Sequence, residues 1–463
     1  MTDQSPVLDP VLIRKYDREG PRYTSYPTAP QFQADFDAAT LEQIIAATNA
    51  ENPRRPLSLY VHVPFCDTVC FYCACNKVVT KDHSRAAIYL QHLEREIARV
   101  GGLFDRARPV SQLHWGGGTP TFLSDAEITA LMGILRRHFT LLEGDQGEYG
   151  IEIDPRRLGA GTLALLRDQG FNRISLGVQD LDPAVQRAVN RMQSEECTFG
   201  VLHEARRLGF KSLSLDLIYG LPQQTPESFA RTLARVIAEQ PDRLSLFNYA
   251  HLPERFKPQR RIQAADLPSA EAKLAILGQS IETLSAAGYV YIGMDHFALP
   301  GDSLVQAQRD GTLHRNFQGY STHGDCDIVA LGVSAISRIG DSYSQNVSVL
   351  DDYQARIDAG HSPLARGMTL SDDDRLRRAV IDQLICHFRL DFASMEARFG
   401  ITFRDYFAAE LQMLASMADD GLLRLHASGI EVLAPGRLLI RNVCMVFDVY
   451  LRQGAPVRFS RVI

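Results

Sequence analysis

Four of the eight cysteines fall within ten residues, in the segment Cys66-Asp67-Thr68-Val69-Cys70-Phe71-Tyr72-Cys73-Ala74-Cys75. Thiolates crowded this closely repel one another unless they share a cation. Three of them, spaced C-x3-C-x2-C, can wrap one face of an iron–sulfur cube and leave its fourth iron without a protein ligand. An open coordination position separates a reactive metal from a structural one, so the spacing points to chemistry. A zinc knuckle would split its ligands into two pairs across a longer loop, and no second pair follows. A disulfide framework belongs to small secreted domains. This chain has 463 residues and starts MTDQSPVLDP, with neither an apolar signal core nor a basic start, and no apolar run reaches transmembrane length. The expectation is a soluble, cytoplasmic protein in which Cys197, Cys326, Cys386 and Cys444 are ordinary buried thiols.

Other residues able to do chemistry cluster just after β-like runs. Gly116-Gly117-Gly118-Thr119-Pro120 lets a ligand approach the backbone where a Cβ would collide, although a tight turn would use the same glycines. Glu152 and Asp154 are suited to ribose hydroxyls or an ammonium, or else to a strand end or helix N-terminus. Gln179 and Asp180 follow the next run. Asp216 sits inside Leu215-Asp216-Leu217-Ile218-Tyr219, where a carboxylate is costly to bury without a partner; Arg191 or a ligand ammonium is the expected one. Tyr60 and Tyr72 bracket the cysteines as aromatic faces or as core aromatics.

The elements that must position these groups alternate. Strand candidates are 57–63, 112–115, 149–153, 173–178, 212–218, 243–248 and 289–294. Helical stretches intervene: 85–100 aligns Tyr89, Leu93, Ile97 and Val100, and Ser124-x-x-Glu127 is a capping box ahead of Ile128, Leu131, Leu135 and Phe139. Repeated β-α-β units imply a parallel sheet with right-handed crossovers. Six or seven units make a partial or complete β/α barrel, whose strand ends share one mouth; a doubly wound sheet would also gather ligands at strand ends.

The ends of the chain differ in character. Residues 1–55 contain the proline-punctuated, extended Pro21–Thr28, and form an N-terminal extension suited to covering a substrate. Residues 56–300 carry the barrel and 301–365 a connecting region. From 366 to 463 the pattern is mainly helical, opening at Ser371-Asp372-Asp373-Asp374, with a small hairpin over 421–433 turning at Ser428-Gly429, a winged-helix-like arrangement. The net charge is −6, with no basic stripe, so neither nucleic acid nor a membrane surface is an expected partner.

C-x3-C-x2-C followed by a glycine-rich strand end resembles the radical S-adenosylmethionine (SAM) enzymes. In the form C-x3-C-x2-C-x-C it resembles, more narrowly, the oxygen-independent coproporphyrinogen III oxidases. The likeness runs nearly end to end, through 20–28 (GPRYTSYPT), 216–222 (DLIYGLP), 247–253 (FNYAHLP), 315–321 (RNFQGYS), 331–336 (LGVSAI) and 437–442 (RLLIRN). The resemblance implies an α/β fold built on a partial (β/α)6 radical SAM barrel. It implies that Cys66, Cys70 and Cys73 ligate a [4Fe–4S] cluster, with Cys75 nearby but not a ligand. It implies two SAM molecules, one on the open iron near Tyr60, Gly117 and Glu152, the other contacting Tyr72, Gly118, Thr119, Gln179, Arg191, Asp216, Ala250 and Ile336. Tyr72 departs from relatives that carry phenylalanine there, with the aromatic face kept. The implied activity is radical decarboxylation of two substrate propionates to vinyl groups in haem biosynthesis, by a monomer fed by a low-potential electron donor. A tetrapyrrole with four propionates would suit Arg22 and the Arg260–Arg261 pair. A haem-trafficking chaperone of the same superfamily is the nearest rival. It would carry a His-Asn-x-x-Tyr-Trp motif, and the single tryptophan here is Trp115. A zinc-bound winged-helix DNA binder is the more distant one.

Overall fold

The computed structural model describes residues 5–453. Six parallel strands, β1 (Leu57–Val63), β2 (Pro109–Gly117), β3 (Glu148–Ile153), β4 (Arg173–Gln179), β5 (Ser212–Tyr219) and β6 (Arg243–Asn248), pair in chain order. Helices joining them pack outside. Ser84–Gly101 buries Tyr89, Leu93 and Ile97 completely. Asp125–His138 starts at the Ser124/Glu127 capping box, both halves of which are present.

Strand alternation explains why these runs read as only partly apolar. Residues facing the helices are apolar: Leu59 and Val61, Leu113 and Trp115, Leu176, Leu215. The opposite positions, which line the lumen, are polar or small: Gln112, His114, Glu148, Glu152, Arg173, Ser175, Ser214, Asp216, Ser245. A closed barrel fills its interior with branched apolar side chains; this one leaves a cavity of about 210 Å³.

The expected seventh unit is a correction. Tyr289–Met294 forms a strand, β7 (Val290–Gly293), but it turns straight into β8 (His296–Ala298), which wedges antiparallel between β7 and β6. The barrel is therefore partial, with six parallel β/α units. On its other flank the sheet continues. The fully buried β9 (Asp327–Leu331) lies parallel to β1, and the meander β10 (Ile336–Ile339), β11 (Ser342–Asn346) and β12 (Leu364–Thr369) follows. The 301–365 stretch is thus sheet as well as connection.

Among its described residues the N-terminal stretch carries two α-helices, Pro10–Tyr16 and Ala38–Glu51, each capped by an aspartate, Asp9 or Asp37. No helix covers 21–28. Arg108, fully buried in its side chain, ties this stretch to the barrel floor: it donates to Thr48, Asn49 and the Arg55 carbonyl, and pairs with Asp327 at 2.5 Å. The C-terminal region starts at helix Asp372–His387, with a Ser371/Asp374 capping box. Further helices surround a small antiparallel sheet of β13 (Arg389–Asp391), β14 (Leu423–Leu425) and β15 (Gly429–Val432), with β15 central. Gly429 is required there, since a Cβ would stand 2.2 Å from the Leu390 carbonyl oxygen of β13. Cys386 and Cys444 are buried in this region, and Cys326 is buried beneath the barrel, whereas Cys197 is only half-buried. No described helix is long and apolar enough to cross a membrane.

Candidate active site

The cysteine loop leaves β1 and is stitched to its surroundings on every side. Phe65–Cys66 pairs with Val78–Val79, closing the loop at its base. Phe71 N donates to the Val189 carbonyl at 2.9 Å, and Gln259 Nε2 donates to that of Tyr72 at 3.0 Å. Lys77 Nζ reaches the Cys73 carbonyl at 3.0 Å. The glycine-rich end of β2 is sewn to the same loop, with Gly118 N on the Val63 carbonyl and Thr119 N on that of Phe65, both at 2.8 Å.

Cys66, Cys70, Cys73 and Cys75 open onto a cavity of about 290 Å³ at the carboxyl ends of the strands. Of the other residues singled out in the sequence, Tyr72, Gly117, Gly118, Thr119, Glu152, Gln179, Arg191 and Asp216 line it too. Tyr60 adjoins this group, its hydroxyl 3.1 Å from His62 Nδ1 and its ring stacked on His114. Two residues lie elsewhere. Ala250 lines a neighbouring cavity, and Ile336 packs with Phe32, Tyr343 and Leu370.

The glycines make room for specific neighbours. Gly117 has φ +116°, and a Cβ there would stand 2.7 Å from the His62 ring. At Gly118 the obstacles are backbone, the Phe65 carbonyl oxygen at 2.6 Å. Glu152 reaches back across the loop, accepting from Gly117 N at 3.3 Å and lying 3.4 Å from His114 Nε2. Gly177 lets two side chains cross β4, since a Cβ would meet Gln179 Nε2 at 2.6 Å and Arg191 Nη2 at 3.2 Å.

Charge is arranged differently from the expectation at Asp216. Arg191 does not pair with it: the Arg191 Nη1 group lies 3.3 Å from Asp154 and 3.6 Å from Cys70 Sγ, while Nη2 donates to the Gly177 carbonyl at 2.6 Å. Arg156 grips the same Asp154 and also approaches Cys70 Sγ at 3.7 Å. Against the upward push of burial, these two guanidinium groups hold Asp154 below the usual carboxylate range. Asp154 is therefore a positioning carboxylate, already engaged and not open to a ribose. Asp216 is held by the hydroxyls of Ser175, at 3.1 Å, and Ser245. Burial, with Glu152 nearby, raises it to about 6. Burial likewise pushes the Cys66 thiol up to about 11, while a hydrogen bond from Cys75 draws Cys73 toward thiolate.

Two buried polar atoms here have no partner, Gln179 Oε1 and Arg191 Nε. Gln179 also has φ +69°, on a bulge at the end of β4; strain and orphaned polar atoms together mark a place shaped for a ligand. Its neighbour Asp180 anchors the bulge, accepting from Gln224 and Thr232 at 2.6 Å each. Four thiols on one rim, guanidinium groups on a sulfur, a glycine cradle and unpaired polar atoms fit an iron–sulfur cluster with an amino-acid-bearing nucleoside beside it. Arg156 escaped the sequence reading, for nothing in its spacing shows that it shares Asp154 with Arg191.

Comparison with known proteins accords with this geometry. Residues 60–236 match the Radical SAM superfamily, and 370–439 match the HemN C-terminal domain. The chain is 59% identical over 455 residues to the oxygen-independent coproporphyrinogen III oxidase of Pseudomonas aeruginosa, covering 98% of each. With the protein of that name from Escherichia coli it is 54% identical over 464 residues, 100% of each. The chain belongs to the oxygen-independent coproporphyrinogen III oxidases. A solved structure described as "Coproporphyrinogen III oxidase (HemN) from Escherichia coli is a Radical SAM enzyme" superposes with a TM-score of 0.92 at 52% identity, over 97% of this chain and 100% of that one. Membership in this family makes the protein a radical SAM enzyme, with a [4Fe–4S] cluster and SAM as its cofactors.

Proposed function

We propose that the protein oxidatively decarboxylates two propionate side chains of coproporphyrinogen III to vinyl groups, giving protoporphyrinogen IX. The observation that carries this reading is the convergence of the cysteine loop, Gly117–Thr119, Glu152, Arg191 and Asp216 on one cavity in a chain alike from end to end to enzymes named for that substrate. When bound, the cluster, reduced by an external low-potential donor, and SAM would supply a 5′-deoxyadenosyl radical able to take a hydrogen atom from the propionate β-carbon; loss of carbon dioxide and passage of one electron to an external acceptor would then leave the vinyl group.

The protein's own part is placement. Cys66, Cys70 and Cys73 hold the cluster, and Cys75 stands beside it without ligating. Arg156 and Arg191 donate to Cys70 Sγ, compensating thiolate charge and favouring electron entry from a low-potential donor. Glu152, tied to Gly117 N, serves the amino group of the SAM on the open iron, with Tyr60 alongside. A second SAM lies against Tyr72, Gly118, Thr119, Gln179, Arg191 and Asp216; it would meet Ala250 and Ile336 only by extending beyond this cavity. In this reading 1–55 is the cover, 56–300 the catalytic barrel, 301–365 its sheet extension and 366–463 the helical body to which the cover is tied. Anaerobic turnover of coproporphyrinogen III tests the reading: 5′-deoxyadenosine and protoporphyrinogen IX should accumulate together. SAM cleavage without porphyrinogen conversion refutes it.

A further inference from the structure

The cysteine loop has an outer side as well as the side that meets the cavity. Two segments seat against that outer side. Phe71 N donates to the Val189 carbonyl, Asn190 Nδ2 donates to that of Val69 at 2.8 Å, and Gln259 Nε2 holds that of Tyr72. Half-buried Phe71 packs there with Val185, Val189 and Ile262 in one small apolar cluster, none of which lines the cysteine cavity. Phe71 follows Cys70 directly in the chain, so it is the short way from this outer cluster to the thiols.

The same two segments carry exposed cations. Residues 254–261, ERFKPQRR, hold four cations against the single acid Glu254, a local sign opposite to the chain's net charge of −6. Arg255, Lys257, Arg260 and Arg261 are all exposed, as is Arg187 near the end of helix Pro183–Ala188. Arg261 lies over the Phe71 ring, 5.4 Å from its centre, and Arg260 Nε donates to the Pro253 carbonyl at 3.0 Å. Among the described residues none of these five cations belongs to an ion pair, whereas the exposed Arg95 and Arg137 each do. The one acid of the cysteine loop, Asp67, stands with His83 and Arg157, at 3.5 and 3.9 Å. None of the five cations lines the cysteine cavity; they face solvent.

We propose that Arg187 and the 255–261 stretch form the docking face for an acidic protein that carries one low-potential electron. Radical SAM chemistry needs a reductant from outside, and unneutralised charge of one sign steers a partner of the other sign toward the face that bears it. One electron leaves the reduced carrier, which is thereby oxidised, and enters the cluster that the cysteines hold; no bond forms between the proteins. Electron-transfer encounters bury little area, so charge governs how fast they form. The inference deepens the electron supply of the reading above and does not depend on its substrate.

A plant-type [2Fe–2S] ferredoxin, of low potential and net negative charge, is the probe. Its reduced form would be mixed anaerobically with reconstituted enzyme and SAM and its oxidation timed; calorimetry would measure binding of the oxidised form. Lys257→Glu and Arg187→Glu should each slow the second-order oxidation about fivefold at low salt and weaken binding alike. The double variant should lose more, and the differences should vanish near about 0.5 M salt, where screening is strong. Lys257→Arg should match wild type. Iron content should be unchanged throughout, as should 5′-deoxyadenosine formation driven by dithionite, a small reductant that needs no docking face. Arg309→Glu, on helix Ser303–Asp310, changes the net charge equally and should have no effect. Equal rates and affinities in wild type and both reversals overturn the inference. So does an equal slowing by Arg309→Glu, an equal loss with dithionite, or a ferredoxin that neither binds nor reduces the wild type. Failure to convert coproporphyrinogen III while ferredoxin still drives SAM cleavage sinks the substrate reading alone.

Discussion

Asp154 and Arg191 form an ion pair of 3.3 Å beneath the cysteine loop, with both side chains about nine-tenths buried. The same guanidinium touches Cys70, so Asp154 sets where the sulfur's donor stands. Removing one member of a buried pair costs about 3–5 kcal/mol, because the other charge is left stranded. Asp154→Asn should therefore lower the thermal midpoint of the purified protein by several degrees and weaken SAM binding together. Arg191→Lys keeps the charge but not the fork and should bind SAM poorly with a smaller loss of stability. Calorimetry and equilibrium binding of labelled SAM check both.

Iron content tests the cysteine assignment. Serine at Cys66, Cys70 or Cys73 should each abolish the cluster absorbance, because three ligands are the fewest that hold the cube from one face. Cys75→Ser should keep its iron, and full iron in Cys70→Ser would refute the ligand set.

The three glycines after β2 should not be equivalent. At Gly116 the nearest atoms to an added Cβ belong to the Glu152 carboxylate, at 3.0 Å, which can swing away. At Gly118 it meets the fixed backbone of Pro64 and Phe65. Gly118→Ala should cost about 1–3 kcal/mol of stability, as overpacking does, and should displace the cysteine loop. Gly116→Ala should fold with near-native stability and lose mainly SAM affinity through Glu152. Denaturant unfolding of the two variants separates these outcomes.

What could be read from the residues alone divides along physical lines. The six parallel strands were legible because each presents an apolar face to helices over several residues, and Glu152, Gln179 and Asp216 because strand ends gather at one mouth. The β7–β8 wedge was not, since β8 is three residues long and its pairing is decided by β6. The buried β9, apolar apart from Asp327 at its start, lacks alternation and passed as connection. The helix Pro10–Tyr16 had its signal, Asp9 ahead of a proline at the first turn, in a stretch where prolines further on suggested extension. Partnerships were the least legible part: Arg22 with Asp295, or Arg156 and Arg191 sharing Asp154, join residues whose spacing in the chain carries no mark of the contact.

Asp216 links pH to the site. Its folded carboxyl titrates at about 6, raised chiefly by burial, against roughly 3.9 for an unfolded aspartate. The folded state thus holds its proton more tightly, so the carboxyl favours folding below pH 4, and that contribution is lost as pH rises from about 4 to about 6. At neutral pH the charged form is a cost to the ligand-free fold, only partly offset by the Ser175 and Ser245 hydroxyls. Asp216→Asn should consequently leave the ligand-free protein at least as stable as wild type at pH 7.5, and it should keep its iron. If the carboxylate receives a SAM ammonium, wild-type SAM stoichiometry should fall as pH drops through about 6, and Asp216→Asn should bind fewer SAM molecules at every pH with no such step. Labelled SAM titrations at pH 5.5, 6.5 and 7.5, wild type against variant, decide it. Equal stoichiometry at all three in both proteins would make Asp216 a buried carboxyl of the lumen and nothing more.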